Sequence, residues 1–265
     1  MYDFKYQQAN SQDEAVSAQS SAEDGSFLAG GMTLIPTLKQ RLAQPSDLVD
    51  LSAINDLVGV SEEGDSVTIG SMTTHASVAS SEIVNSKIPA LAALAGNIGD
   101  PQVRNRGTIG GSIANNDPAA DYPAGCVALN ATIITNTRKI SADDFFTGLF
   151  ETALEDGELI TAVTFPIPDR AAYAKFPNPA SRYAIVGVMV AQTGGETRAA
   201  VTGASDSGVF RSTDIENALG DTLDASAAKA VSISSDGLNN DIHASSEYRA
   251  HLVSIMASRA ATAAG

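Results

Sequence analysis

The 265 residues contain a single cysteine, Cys126, so the chain forms no internal disulfide and cannot ligate an iron–sulfur cluster by itself. The three histidines, His75, His243 and His251, are too few and too scattered for a self-contained metal site. Tryptophan is absent and aromatic residues make up only 5%, which argues against a stacking platform for carbohydrate or single-stranded nucleic acid. Cations are scarce: 16 Lys+Arg stand against 31 Asp+Glu, a net charge of −15, whereas a non-specific nucleic-acid binder needs a basic face. No apolar run reaches the ~18 residues of a membrane span. The first residues, Met1-Tyr2-Asp3-Phe4-Lys5-Tyr6, form no apolar signal core, so the expected location is the cytoplasm. Hydrophobic residues nevertheless make up 43%, enough for a real core.

Residues 4–52 read as alternating strands and helices, β-α-β-α-β, which predicts a small, partly parallel sheet. Ser11 and Glu14 have capping-box spacing ahead of the first helix. Further on, residues 66–71 alternate like a strand and 88–98 read as a helix stopped by Gly99-Asp100-Pro101. Residues 123–131 read as a helix, and 132–136 and 157–165 as strands. Prolines 166, 168, 177 and 179 mark a candidate domain boundary. Two long strands follow, 183–192 and 197–204, joined by Gly194-Gly195 as a hairpin turn. Three Ala-rich helical stretches finish the chain, the last with Tyr248, Leu252, Ile255 and Met256 as a stripe that predicts core packing.

Two glycine pairs carry the chemistry. Ala29-Gly30-Gly31-Met32-Thr33 lies at a strand-to-helix turn, and Thr108-Ile109-Gly110-Gly111-Ser112 follows Arg104-Asn105-Arg106-Gly107. Without Cβ atoms, such turns let a backbone approach a ligand and aim successive N–H groups at one anion. Facing each other, they would hold a diphosphate without any Lys or Arg. The first turn lacks the Gly-Lys-Ser/Thr ending of a P-loop and the Gly-x-Gly-x-x-Gly of the dinucleotide fingerprint. Each pair alone is weak evidence, since a Gly-Gly pair is more often only an ordinary turn.

The text around the pairs is far more specific. In order come Ala29-Gly30-Gly31-x-Thr33, Ser46-Asp47-Leu48-Val49-Asp50-Leu51, Ile69-Gly70-Ser71-Met72-Thr73-Thr74, a long string from Asp100 through Gly111, Asn116-Asp117-Pro118-Ala119-Ala120-Asp121-Tyr122-Pro123, and Gly157-Glu158-Leu159-Ile160. The chain resembles the FAD-binding medium subunits of the molybdenum hydroxylases (the carbon monoxide dehydrogenase and xanthine dehydrogenase family) over essentially its whole length. The resemblance implies an α+β fold: a PCMH-type FAD-binding domain over 1–170, in two parts of about 1–55 and 56–170, then a domain over 171–265 with a three-stranded antiparallel sheet and a helix bundle. It implies non-covalent FAD, a large molybdopterin subunit, a small [2Fe–2S] subunit, assembly as a dimer of heterotrimers, and electron delivery to an external acceptor.

Residue by residue, the resemblance assigns the two loops, Ala29, Gly30, Gly31, Met32 and Thr33 with Thr108, Ile109, Gly110, Gly111 and Ser112, to the diphosphate. It assigns Ile98 and Ile160 to apolar contacts with the cofactor, Asp121 to cofactor hydroxyls, and Lys175 to the polar edge of the flavin, with Tyr183 near that edge. No residue of this chain is assigned a catalytic or metal-binding role. Asp121 reads alternatively as the N-cap of the helix beginning near Pro123, and Asp117 as a turn residue. Arg104 and Arg106 read as loop scaffolding or a contact to the iron–sulfur partner. His75 reads as a surface or capping histidine, and Cys126 as a buried small hydrophobe. Two rival functions stay open at this stage: a stand-alone flavin-dependent oxidase and a non-redox nucleotide-binding module.

Overall fold

The computed structural model describes residues 1–265. The chain begins with β1 (Lys5–Gln8), α1 (Gln12–Ser20), β2 (Gly25–Leu28), α2 (Leu34–Lys39) and β3 (Asp47–Asp50). Both strand pairings are parallel, in the order β1-β3-β2, so the expected partly parallel sheet is wholly parallel. The Ser11 hydroxyl caps α1 by accepting from Glu14 N, but the Glu14 carboxylate reaches one residue further back, to the N–H of Asn10. A small core of Ala9, Ala15, Val49, Leu51, Ile54 and Leu57 backs this sheet.

The middle of the chain adds β4 (Val60–Glu63), β5 (Ser66–Gly70), α3 (His75–Ser80), α4 (Glu82–Lys87), α5 (Pro89–Gly96), α6 (Pro101–Arg104), α7 (Ile109–Asn115) and α8 (Tyr122–Ala128). Then come β6 (Thr132–Thr135), β7 (Lys139–Ser141), α9 (Ala142–Phe145), β8 (Phe146–Gly148), β9 (Glu151–Thr152) and β10 (Ile160–Pro166). β4-β5-β10-β6-β7 form an antiparallel sheet, and β8 and β9 a short ribbon. Val67, Ile69, Ile133, Val163 and Phe165 of this sheet pack on Leu91, Leu94, Ile109 and Ile113 from the helices. Each such buried side chain contributes about 1.5–3 kcal/mol relative to exposure.

The last part holds β11 (Arg170–Pro177), β12 (Ala184–Thr193), β13 (Glu196–Ser205), β14 (Gly208–Arg211), α10 (Thr213–Leu219), α11 (Ala225–Ala230) and α12 (Ser246–Ala264). Its antiparallel sheet has four strands, β11-β12-β13-β14, rather than the expected three. The added strand is short; a tight turn through Asp206-Ser207, with Gly208 at φ +100°, folds it back on β13. The turn at Gly194-Gly195 is as expected, both glycines having the positive φ that a two-residue hairpin requires. Helices α10, α11 and α12 pack on one another. On α12, Leu252 and Met256 are buried, but Tyr248 is exposed and packs edge-on to Phe176, because the buried face follows Val253, Ala257 and Ala260 instead.

β12 is buried along nearly its whole length because both faces of its sheet are covered. Val186, Val188 and Val190 face the C-terminal helices, whereas Met189 and Ala191 join the core of the middle region, where β12 packs on α8 and the neighbouring β11 on α5. Arg198 braces this contact, donating to Val127 O and Asn130 Oδ1 and pairing with Asp143. No helix is long and apolar enough to cross a membrane.

Candidate functional site: a cavity between two glycine turns

The first glycine turn leaves the carboxyl end of β2, where parallel sheets characteristically place ligands. Gly31 has φ +73° and turns the chain toward α2. The backbone N–H groups of Gly30, Gly31, Met32 and Thr33 donate to no protein group. Four successive free donors facing a cavity suit an anion.

The second turn is built differently. It is the start of α7, capped by Thr108, whose hydroxyl accepts from Gly111 N at 3.1 Å. An antiparallel bridge joins it to the segment after β5: Ile109 N donates to Thr73 O, Gly110 N to Ser71 O, and His75 N to Gly107 O, at 3.1, 2.8 and 2.9 Å. Most of its N–H groups are therefore already spent within the protein. Its glycines are needed for contact. A Cβ on Gly110 would lie 2.6–3.0 Å from Ser71 atoms, and one on Gly30 would lie 2.0 Å from the Arg106 carbonyl oxygen. The two turns thus press against each other through Gly30, Arg106 and Gly107.

Between them lies a cavity of about 530 Å³. It is lined by Ala29, Gly30, Gly31, Met32, Thr33, Ile98, Thr108, Gly110, Gly111, Ser112, Asp121, Ile160 and Tyr183, which sequence reasoning had selected. Two selected residues are not on its wall. Ile109 is fully buried in the middle core, and Lys175 stands behind Asp121. Phe27, Leu51, Leu154 and Leu159 supply an apolar wall and Ser71, His75 and Arg182 also reach the cavity, none of them marked by a local sequence signal.

Asp121 is 4% exposed, and both of its carboxylate oxygens are engaged. Tyr173 donates to Oδ1 at 2.5 Å and Lys175 Nζ to Oδ2 at 2.9 Å, while Lys175 also donates to Asn97 O. Burial raises the Asp121 carboxyl above its ordinary value, and the Lys175 charge and the Tyr173 hydroxyl pull the other way. Asp121 does stand at the N-cap position of α8, but its side chain makes no capping bond there, because both oxygens are taken by Tyr173 and Lys175. Asp117 does form a turn, accepting from Ala119 N, and it also lines the cavity, where burial raises its pKa. Arg104 is loop scaffolding: it donates to Ile98 O and Gly99 O. Cys126 is fully buried in the core, and burial pushes its thiol pKa well up.

His75 overturns its sequence reading. It is neither at the surface nor a cap: Thr74 caps α3, and the His75 ring is 4% exposed on the cavity wall, beside Tyr122. The chain is pulled inward there because the 71–75 segment is bridged to the second glycine turn.

Glu158, also on the cavity lining, sits in a tight cage. Arg138 grips both carboxylate oxygens at 2.9 Å, and Thr135, Thr137 and the Glu155 N–H also donate to it. These bonds, Arg138 foremost, lower the Glu158 pKa to about 2. The cage fixes the turn that delivers Leu159 and Ile160 to the cavity.

Residues 2–168 match the family described as the FAD binding domain in molybdopterin dehydrogenase. The chain belongs to the FAD-binding medium subunits of the molybdenum hydroxylases. It is 35% identical to the nicotine 6-hydroxylase medium subunit of Paenarthrobacter nicotinovorans, covering 99% of this chain and 97% of that one. It is 36% identical to the glyceraldehyde dehydrogenase medium chain of Sulfolobus acidocaldarius, covering 97% of each. The fold matches a chain of carbon monoxide dehydrogenase from Hydrogenophaga pseudoflava with a TM-score of 0.89 and 34% identity, over 99% of this chain and 97% of that one. The protein is accordingly an oxidoreductase subunit whose cofactor is FAD. The wall fits that cofactor: a row of free N–H donors suits a diphosphate, and the apolar residues suit planar rings.

Proposed function

We propose that this chain is the FAD-carrying electron-transfer subunit of a heterotrimeric molybdenum hydroxylase, passing electrons from the [2Fe–2S] clusters of a small partner to an external acceptor. The observation that carries this reading is whole-chain likeness to medium subunits, combined with a cavity that offers four unpaired backbone donors. The chain's one thiol, Cys126, is buried, so clusters belong to a partner. Residues 30–33 hold the diphosphate by their backbone N–H groups. Residues 108–112 supply the opposing wall and a helix start. Ile98 and Ile160 flank the cofactor. Asp121 faces its hydroxyls, and Lys175 fixes Asp121 from behind. When bound, FAD supplies redox chemistry in one- and two-electron steps.

The complete assembly in this reading contains a large molybdopterin subunit as well, arranged as a dimer of heterotrimers in the cytoplasm. The division into 1–170 and 171–265 belongs to the same proposal, and the extent of the family match supports it. Relatives named for nicotine, glyceraldehyde and carbon monoxide lie at nearly equal identity. This supports placing substrate choice in the large subunit, with carbon monoxide, an aldehyde or an N-heterocycle as the class. The test is reconstitution. The purified chain with FAD is expected to consume no substrate; joined to its large and small partners, it completes substrate-dependent reduction of an added acceptor. Turnover by the chain alone, without molybdenum or iron, would overturn the proposal in favour of a stand-alone oxidase.

A further inference from the structure

His75 is a buried titratable group that the reading above does not use. Its backbone is fixed by His75 N donating to Gly107 O at 2.9 Å, and its ring by packing on Tyr122 with centroids 5.3 Å apart. The ring lines the cavity, and its Nε2 lies against Gly107, where an added Cβ would come within 2.6 Å. Gly107 in turn touches Gly30, the start of the free donor row. Ring Nδ1 is buried and has no partner in the protein. A bare ring nitrogen tolerates such a place better than an N–H does, since orphaned buried donors are the rarer case. The ring proton therefore belongs on Nε2, leaving a donor beside the seam between the glycine turns.

We propose that His75 contacts the cofactor directly, donating its Nε2–H to an oxygen of bound FAD. The inference rests on the cavity being the FAD site. Burial and the nearby Arg104 charge hold the ring neutral, with a pKa of about 4, so the donor is present without a competing positive charge. No other imidazole lines the cavity, and no protein acceptor competes for this N–H.

The test uses flavin-free protein labelled with ¹⁵N-histidine, with the His75 signals assigned from a His75→Gln variant. Adding FAD is expected to shift the His75 Nε2 resonance and slow exchange of its proton, with the ring remaining the Nε2–H tautomer. FAD affinity, read from flavin fluorescence, is expected to fall about tenfold or more in His75→Leu and to stay within about threefold in His75→Gln, whose amide keeps a donor. An unmoved His75 signal in FAD-bound protein overturns the inference, and so does equal loss in both variants or wild-type affinity in His75→Leu. Should His75→Leu not fold, the labelled wild-type protein still decides. Failure of the wild type to bind FAD at all would instead overturn the assignment of the cavity.

Discussion

Replacing Asp121 with asparagine removes one charge from a buried pair and leaves the other in place. Lys175 keeps only 7% of its side chain exposed, so its ammonium would face a neutral amide with little water to replace the carboxylate. Tyr173 loses less, because the amide oxygen can still accept its hydrogen bond. Breaking a buried ion pair from one side typically costs about 3–5 kcal/mol. For a chain of 265 residues that corresponds to a fall in Tm of roughly 5–9 °C. The assay is thermal unfolding of flavin-free protein followed by circular dichroism, so that no ligand contributes. Asp121→Asn combined with Lys175→Met removes the stranded charge and should recover most of the loss. A single variant within about 1 °C of wild type, or a double variant no better than the single, would refute the reasoning. FAD affinity measured on the same proteins separates the second role. If Asp121 also accepts from cofactor hydroxyls, binding weakens by a further ~1.5–3 kcal/mol, which the double variant does not restore.

Three other outcomes are expected. Gly30→Ala should lose both FAD and stability in the flavin-free protein, because its Cβ would collide with the Arg106 backbone rather than with ligand alone; a variant of wild-type Tm that fails only in binding would contradict this. His75 has a folded pKa of about 4 against an ordinary 6.5, so its neutral burial stabilises the fold fully above pH 6.5, and that contribution is lost as pH falls through 4. Urea unfolding should therefore show wild type losing up to about 3 kcal/mol more than His75→Gln across that window. Glu158, held at about 2 against an ordinary 4.5, contributes above pH 4.5 and loses that contribution as pH falls toward 2; Glu158→Gln should cost about 2–3 kcal/mol at pH 7, the exposed side of Arg138 holding the figure down, and should flatten the acid limb of the stability curve.

The regular elements were legible wherever local pattern and tertiary need coincide. The β-α-β-α-β start and the Gly194-Gly195 hairpin read directly, since strand alternation, a Ser11 cap and paired positive-φ glycines are local signals. Helices α3, α4, α6 and α7 did not read. They run only four to seven residues, too short for an amphipathic period. What starts them is a side-chain cap, from Thr74, Ser81, Asp100 and Thr108 respectively, and those hydroxyls and carboxylates were the available signal. The fourth strand of the C-terminal sheet was hidden for a similar reason: Gly208–Arg211 is too short to show alternation.

The site exposes a deeper limit, because the same Gly-Gly pair serves two different ends. Ala-Gly-Gly at 29–31 and Ile-Gly-Gly at 109–111 look like matching diphosphate loops. In the fold, the first leaves its N–H groups free, while those of Ile109 and Gly110 are consumed by the Thr73 and Ser71 carbonyls. A glycine is demanded in both places, in one so that the chain can turn and touch the facing loop, in the other so that a helix start can lie flush on a strand end. Nothing local separates these cases, since the partner carbonyls lie more than thirty residues upstream. The same pairing carries His75 inward, which is why a histidine following two threonines looks like surface and is buried. The residues most open to misreading are therefore those whose neighbours are set by the bridge between Thr74 and Thr108, and it is there that substitution and binding measurements bear most directly on how the cofactor is held.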